Sequence, residues 1–498
     1  MLFNSVKLVW TGSIKNEQVN VLRKLLTKAR FTDFGQYYDF DKILQSDDIA
    51  TAYREKVPLF DYNQIYNDWW HKSLEGVADV CWPGKIEYFA LSSGTSEASS
   101  KYIPITKDLL RGNQSAMIKQ LLSLRHYKKI PLKSLSKAWL AFSGSTDLQK
   151  GNGYYAGDLS GITSKKVPIW FQPFYKPGKK IAKEKDWNKK IAEIVEQAPQ
   201  WDIGFILGVP AWIQMCLELI IEKYKLKNIH ELWPNLGFYV HGGVNFDAYK
   251  KGFEKLFGKP VTYIETYLAS EGYIAYQNRQ NANGGMNMVT DKHLFFEFIP
   301  FNDQNFDADG NPVGTPASLL INEIEENVEY VLVMSTAAGA WRYLIGDIIK
   351  FTDKKRCEIV ITGRTKHFLS LVGEHVSVDN MNKAISMVSE ELNIEVQEYT
   401  VCGVPYDNFF AHQWYIGTDA DTDEEAFAQL IDEKLKLLND DYAVERKSTL
   451  KKVYVKVLKE EMFIKFMQQS NKLGAQSKFP RVLKGKHLEH WQTFLMNN

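Results

Sequence analysis

A large N-terminal α/β body of several sheets followed by a small, mobile C-terminal α+β domain is what the sequence predicts. Three observations lead there: helical and strand periodicities alternate throughout, 498 residues exceed the size of one domain, and the best break falls near Gly363–Lys366. The expected division is a body over residues 1–364 and a lid over 365–498. Helical spacing covers Asn16–Ala29, Trp187–Ala198 and Ala211–Tyr224. In Glu424–Leu438 the apolar residues Phe427, Leu430, Ile431, Leu435 and Leu438 recur on one helical face. Strands are expected at Leu294–Ile299, Val328–Met334 and Glu358–Thr362, and at Lys452–Leu458, where Val453, Val455 and Val457 alternate with Lys452, Tyr454 and Lys456. No internal repeat or low-complexity linker interrupts the pattern.

A formal net charge of +1 gives no electrostatic case for nucleic acid or an anionic membrane. The lysine-rich run Lys176–Lys190 and the acidic run Asp419–Glu425 read as solvated surface. The four cysteines (Cys81, Cys216, Cys357, Cys402) lie far apart, with no CxxC pair and no zinc spacing. Unpaired thiols, and an N-terminus without a continuous apolar core, lead us to expect a cytoplasmic protein. The long apolar stretch Ile203–Ile221 contains Gly208, Pro210, Gln214 and Glu218. It is better explained as a strand, a turn and a buried helix than as a membrane span. Nothing in the sequence speaks to oligomeric state.

Four segments carry the chemistry. In Leu91–Pro104 (LSSGTSEASSKYIP), Ser92, Ser93, Gly94, Thr95 and Ser96 run together, with Lys101 after them. Hydroxyls, backbone N–H groups and a cation suit a polyphosphate, although the spacing is not that of a Walker A loop. The plain alternative is a surface turn. In the second segment, Tyr239–Gly243 and Tyr267–Gly272, Gly242 and Gly243 permit close backbone approach to a flat ligand. Tyr267 can stack on a base, and Glu271 can reach Mg²⁺. The alternative there is a pair of helix-flanking turns with a core tyrosine, and His241 reads as a satisfied structural histidine. In the third, Trp341–Lys350, Asp347 can accept both ribose hydroxyls, or simply open a hairpin after Gly346. In the fourth, Ile361–Gly373, Arg364 can reach ribose or phosphate and Lys366 sits where a hinge would be.

These segments, in this order, resemble the adenylate-forming superfamily of acyl-CoA synthetases, luciferases and peptide-synthetase adenylation domains. Within it the chain is most similar to the auxin-responsive acyl acid amido synthetases, the Gretchen Hagen family. SSGTS with Lys101 resembles the family's phosphate loop, YLASEG its second nucleotide motif and WRYLIGDIIK its third. FTDFG (Phe31–Gly35) followed by VPLFDY (Val57–Tyr62) resembles its opening pattern. TVCGVP (Thr400–Pro405) is similar to a C-domain strand, and SKFPR (Ser477–Arg481) to the family's lysine-proline-arginine signature. Ala98, Leu268 and Trp341 depart from the usual residues without removing a hydroxyl, carboxylate or cation.

The resemblance implies a firefly-luciferase-like fold and two half-reactions. A carboxylic acid attacks the α-phosphorus of ATP, giving acyl-AMP and pyrophosphate, with Mg²⁺ held near Glu271. An amine, expected to be an amino acid, then displaces AMP. It implies that Gly242, Gly243, Tyr267, Ala269 and Ser270 hold the adenine side, that Asp347 and Arg364 hold the ribose, and that Lys366 is the hinge. Lys478 would touch the reacting carboxylate and α-phosphate, with Lys486 as the fallback. Catalytic weight falls on Lys478, Lys101 and Glu271. A thioester-forming acyl-CoA ligase shares the first half-reaction, and a non-catalytic nucleotide-binding protein could share the fold. Neither the acid nor the base for the amine is legible. Phe142, Tyr154, Phe171 and Trp212 are possible acyl-pocket groups, with ordinary core as the alternative.

Overall fold

In the computed structural model, one long sheet carries most of the body's strands and a separate hairpin sheet stands beside it. The structure describes residues 14–92, 101–167, 169–243, 246–280, 285–307, 310–365, 369, 376–406, 409–439, 442, 443, 446, 450–469 and 479–498. Ser93, Gly94, Thr95, Ser96, Ala98, Lys366 and Lys478 therefore lie outside the described residues, as does the side chain of Ser92.

The strands are β1 (Tyr88–Ser92), β2 (Lys101–Ile105), β3 (Ala138–Ala141), β4 (Gln149–Lys150), β5 (Tyr155–Gly157), β6 (Tyr175–Lys176), β7 (Ile203–Leu207), β8 (Phe238–Gly242) and β9 (Thr262–Ala269). There follow β10 (Gly272–Tyr276), β11 (Met286–Met288), β12 (Leu294–Pro300), β13 (Glu329–Thr336), β14 (Tyr343–Asp353), β15 (Glu358–Arg364), β16 (Glu398–Tyr406), β17 (Phe409–Gly417) and β18 (Leu450–Leu458). Among the described residues the long sheet runs β12-β13-β14-β15-β11-β10-β9-β8-β7-β3-β6, the smaller body sheet β2-β1-β5-β4, and the C-terminal sheet β16-β17-β18. In the long sheet β6, β3, β7, β8 and β9 are parallel, while the strands from β9 through β15 pair antiparallel. The parallel half is covered by helices such as Trp187–Gln197 and Pro210–Tyr224, as crossover connections require.

Periodicity locates these elements well. The expected helix Glu424–Leu438 is observed over the same residues, and Asn16–Ala29 begins two residues earlier at Ile14. Ile203–Ile221 divides as expected: β7 ends at Leu207, and Pro210 starts the helix with its missing N–H at an unpaired position. Among the described residues no helix is long and apolar enough to cross a membrane. All four cysteines are buried free thiols.

The largest apolar core joins the N-terminal helices to β12–β14, with Phe34, Phe40, Tyr53 and Trp341 fully or nearly fully buried. A second core packs the parallel strands against their helices. Two further clusters contain only residues from Leu369 onward. Where the C-terminal part meets the body, Lys255 pairs with Glu395 at 2.8 Å.

Candidate active site

Sequence-distant segments meet at the junction of β9, β10, β14 and β15. β9 and β10 form a hairpin in which Ala269 opposes Gly272, so Ser270 and Glu271 are its two-residue turn, not a helix-flanking loop. Both are buried in that turn. Two residues before β9 ends, Tyr267 donates its phenol hydrogen to Asp347 Oδ2. On the neighbouring pair of strands Asp347 stands directly opposite Arg364, and Arg364 Nε reaches Asp347 Oδ1 at 2.7 Å. A second guanidinium nitrogen donates to the Ile345 carbonyl at 3.0 Å. Each carboxylate oxygen of Asp347 is thus held by one donor and keeps a lone pair for a further one. Gly346–Asp347 is not the turn opening a hairpin, because β14 already begins at Tyr343. Gly346 instead sits inside the strand at φ +84°, and its carbonyl accepts from Thr365 N at 2.8 Å.

The segment expected to meet phosphate belongs to the smaller sheet. β1 and β2 are antiparallel with Ser92 opposite Lys101, so the hydroxyl-rich loop is the connection of a hairpin whose base is fixed by these two residues. Lys101 Nζ lies 5.2 Å from the Tyr62 ring centroid, and Tyr62 Oη accepts from Tyr102 N at 2.8 Å. Glu271 couples the two regions. Burial pushes its carboxyl up to about 7, the Asp347 carboxylate adds to that, and the charges of Arg364 and Lys101 pull it back. Among the described residues no group of three or more acidic, histidine or cysteine side chains could cage a metal. A Mg²⁺ that arrives with a nucleotide needs only one or two carboxylates, because phosphates and water complete its shell. A single buried carboxyl, disfavoured as an anion until a cation joins it, fits that requirement.

The two glycines expected on the adenine side lie at the carboxyl end of β8. A Cβ on Gly242 would lie 2.4 Å from Thr266 O, and Gly243 adopts φ +86°. Neither position admits a side chain without strain, which leaves bare backbone at the end of β8. Of the two readings of Tyr267 the structure shows the core tyrosine: its ring packs in the main core and its hydroxyl donates to Asp347. His241 is packed by Phe246, stacked at 4.1 Å between centroids, but it is not satisfied, since Nδ1 has no partner among the described residues. Burial pushes its pKa down to about 3, so the imidazole is neutral. Lys486 is exposed in the first turn of the helix Gly485–Asn497.

The two opening motifs frame this site rather than form it. Gly35 packs on the carbonyl of Ala29, where a Cβ would sit 2.2 Å away, and Phe34 stacks on Trp341 at 5.8 Å. Phe60 bridges β14 directly: its N–H donates to Arg342 O at 3.1 Å and its carbonyl accepts from Leu344 N at 2.8 Å. Arg342 is buried, paired with Glu297 at 3.0 Å, and donates to Val57 O at 2.7 Å. Sequence reading missed Tyr62, Tyr343 and Arg342. Tyr343 is buried where Glu271 and Arg364 both act on its phenol, and burial raises its pKa well above the ordinary value. Its signal was the alternation Tyr343, Ile345, Asp347 along one buried strand face. In the C-terminal part the two expected motifs lie side by side: Val401 N donates to Arg481 O at 2.9 Å, and Thr400 Oγ1 to Pro480 O at 2.7 Å.

The sheet arrangement, parallel on one side and antiparallel on the other, is that of the adenylate-forming fold. The same fold is found in 2-hydroxyisobutyryl-CoA ligase in its postadenylation state with 2-HIB-AMP. That structure covers 97% of this chain and 91% of its own at a TM-score of 0.61 and 11% identity. The GH3.15 acyl acid amido synthetase superposes with a TM-score of 0.78 at 17% identity, over 98% of this chain and 94% of that one. Family models match in sequence along the chain: the GH3 family N-terminal domain over residues 10–195, the central domain over 287–364 and the C-terminal domain over 379–487. The chain belongs to the GH3 family. The indole-3-acetic acid-amido synthetase GH3.2 of Arabidopsis thaliana is 20% identical over 449 residues, covering 77% of this chain and 80% of that protein. The corresponding GH3.4 enzyme of the same plant is 32% identical over 113 residues, 21% of this chain and 18% of that protein.

Proposed function

We propose that this protein is an ATP-dependent acid–amino acid ligase: it converts a carboxylic acid to its acyl-AMP and passes the acyl group to the amine of an amino acid, forming an amide. The observation that carries this reading is the convergence of Asp347, Arg364, Tyr267, Glu271 and Lys101 from three separate stretches of the chain onto one locus, in a chain whose named relatives are amido synthetases.

In this reading Asp347, held from both sides, accepts the two ribose hydroxyls. Arg364 is fixed by Asp347 and by the Ile345 carbonyl, so its position costs little ordering entropy when nucleotide binds. The bare backbone at Gly242–Gly243, with Ala269 at the end of β9 and Ser270 in the turn after it, is assigned to the base. Ser92–Ser96 and Lys101 neutralise the triphosphate, since an anionic carboxylate must approach a polyanion and charge neutralisation is the main need. Mg²⁺, when bound with ATP, would be held by Glu271 and would offset phosphate charge. Lys478, with Lys486 in reserve, is assigned to the carboxylate and α-phosphate, and Lys366 to the turn about which residues 365–498 move between half-reactions.

The test is product analysis. Purified protein is incubated with ATP, Mg²⁺, a broad acid panel and either mixed amino acids or coenzyme A, and products are weighed by mass spectrometry. The expected result is an acyl–amino acid with stoichiometric AMP. Thioester formed in preference to amide would move the protein to the acyl-CoA ligases, and ATP binding without turnover of any acid would remove the enzymatic reading.

A further inference from the structure

One residue of the lysine-rich run is not solvated. Lys190, on the helix Trp187–Gln197, is 3% exposed. Its ammonium donates to Ser143 O at 3.1 Å and lies 5.0 Å from the Trp187 ring centroid. Among the described residues it has no other hydrogen bond and no carboxylate within ion-pair distance. An ammonium carries three donors, so two are uncommitted in a place where water is largely excluded. Burial pushes its pKa down to about 8, which still leaves it cationic at neutral pH. The opposing charge that acts on it most is Asp158, ahead of Glu184, and the Asp158 carboxyl makes no hydrogen bond among the described residues. It reaches the end of the strand only because residue 144 is glycine: a Cβ there would sit 2.1 Å from Asp158 Oδ2.

The place matters as much as the charge. Ser143 and Gly144 follow β3, Gly208 follows β7, Gly243 follows β8 and Ser270 follows β9, and these strands are parallel. The carboxyl ends of parallel strands form one ligand-binding edge. Lys190 therefore stands on the same edge as the nucleotide locus, three strand spacings from β9, or roughly 14 Å. Phe142, Trp187 and Trp212 occupy this end as a stack, with centroids 6.2 and 4.9 Å apart.

We infer that Lys190 is a specificity-determining residue: the acid this enzyme activates carries an oxygen acceptor, such as a keto or carboxylate oxygen, at the end remote from its reacting carboxylate, and the free ammonium hydrogens of Lys190 bind that oxygen. Asp158 supplies the counter-charge, and the aromatic stack flanks the distal end of the acid. A site built to donate hydrogen bonds rejects a ligand that lacks the acceptor, because the buried donors are then left unpaired.

The inference rests on the acid-activating reading, and its test separates the two. Acid-dependent exchange of labelled pyrophosphate into ATP is measured for acids of matched length ending either in a keto oxygen or in the isosteric methylene group. For the native protein kcat/KM is expected to favour the keto acid by about tenfold or more, the worth of one hydrogen bond to a buried charge. In Lys190→Met that ratio falls toward one, and in Lys190→Arg most of it survives. A native ratio near one overturns the inference whatever the variants do. So does an equal loss on both acids in Lys190→Met, which would make the lysine a packing residue only. If other acids exchange but neither of this pair does, the inference falls and the functional reading stands. If no acid in a broad panel exchanges, both fall.

Discussion

Asp347 carries the most constrained geometry in the site, gripped by a phenol on one oxygen and a guanidinium on the other. Replacing it by Asn keeps the shape and removes the charge. Asp347→Asn is expected to raise KM for ATP by about tenfold to a hundredfold, the range of a lost charge-assisted hydrogen bond, with smaller change for the acid. Tyr267→Phe removes only one of the two groups that orient the carboxylate and should cost less in the same assay. Equal effects on ATP and acid would place Asp347 in the general fold instead. Glu271 is legible by type and motif, but its perturbation was not, because that arises from burial beside Asp347, Lys101 and Arg364, which are far apart in sequence. His241 was expected to be satisfied, and its orphaned Nδ1 depends on what packs over β8, which no local pattern states.

At the scale of elements, β14 is held by pieces that sequence order hides. The Arg342–Glu297 pair is buried at both ends, 3.0 Å apart, and Arg342 also ties Val57 into place. Removing one partner leaves an uncompensated buried charge. Glu297→Gln or Arg342→Met alone is expected to destabilise by about 3–5 kcal/mol, while the double replacement recovers part of the loss. Denaturant unfolding measures this, and additive losses would contradict the coupling. Gly242→Ala puts a methyl 2.4 Å from Thr266 O and should weaken nucleotide binding together with stability. If ATP affinity survives unchanged, β8 does not face the base. Periodicity found β7 and the helix Pro210–Tyr224 because patterning and proline are local signals. The same reading placed Lys190 in solvent, since a charge run does not reveal which of its members turns inward.

For the whole molecule, the contact between the body and the C-terminal part is where pH should act. Glu460, opening the helix Glu460–Gln469, has its carboxyl pushed up to about 7, first by burial and then by Glu218 of the body and by Asp419 and Glu395. Among the described residues only Lys255, paired with Glu395 at 2.8 Å, answers these acids with an ion pair. A carboxyl whose folded pKa exceeds its ordinary 4.5 contributes stability that is complete below 4.5 and is lost as pH rises through about 7. Glu460→Gln should therefore raise stability by about 1–3 kcal/mol at pH 8 and change it little at pH 4.5, read from melts across that range. An offset independent of pH would contradict the clustering.

The overall architecture was legible because ordered motifs carry topology in this fold, and the family models and GH3.15 structure cover most of the chain. The framing role of FTDFG and VPLFDY was not legible: their partners Trp341 and Arg342 lie roughly three hundred residues away, and only the folded sheet brings them together. The central claim is that remote turns assemble one adenylate cradle. It is tested most directly by calorimetric binding of a non-hydrolysable acyl sulfamoyl adenosine, whose sulfamate stands in for the acyl phosphate, to the native protein and to Asp347→Asn. The account predicts one site per chain in the native protein and a loss of at least about tenfold in affinity in the variant. Undiminished affinity in Asp347→Asn would contradict it.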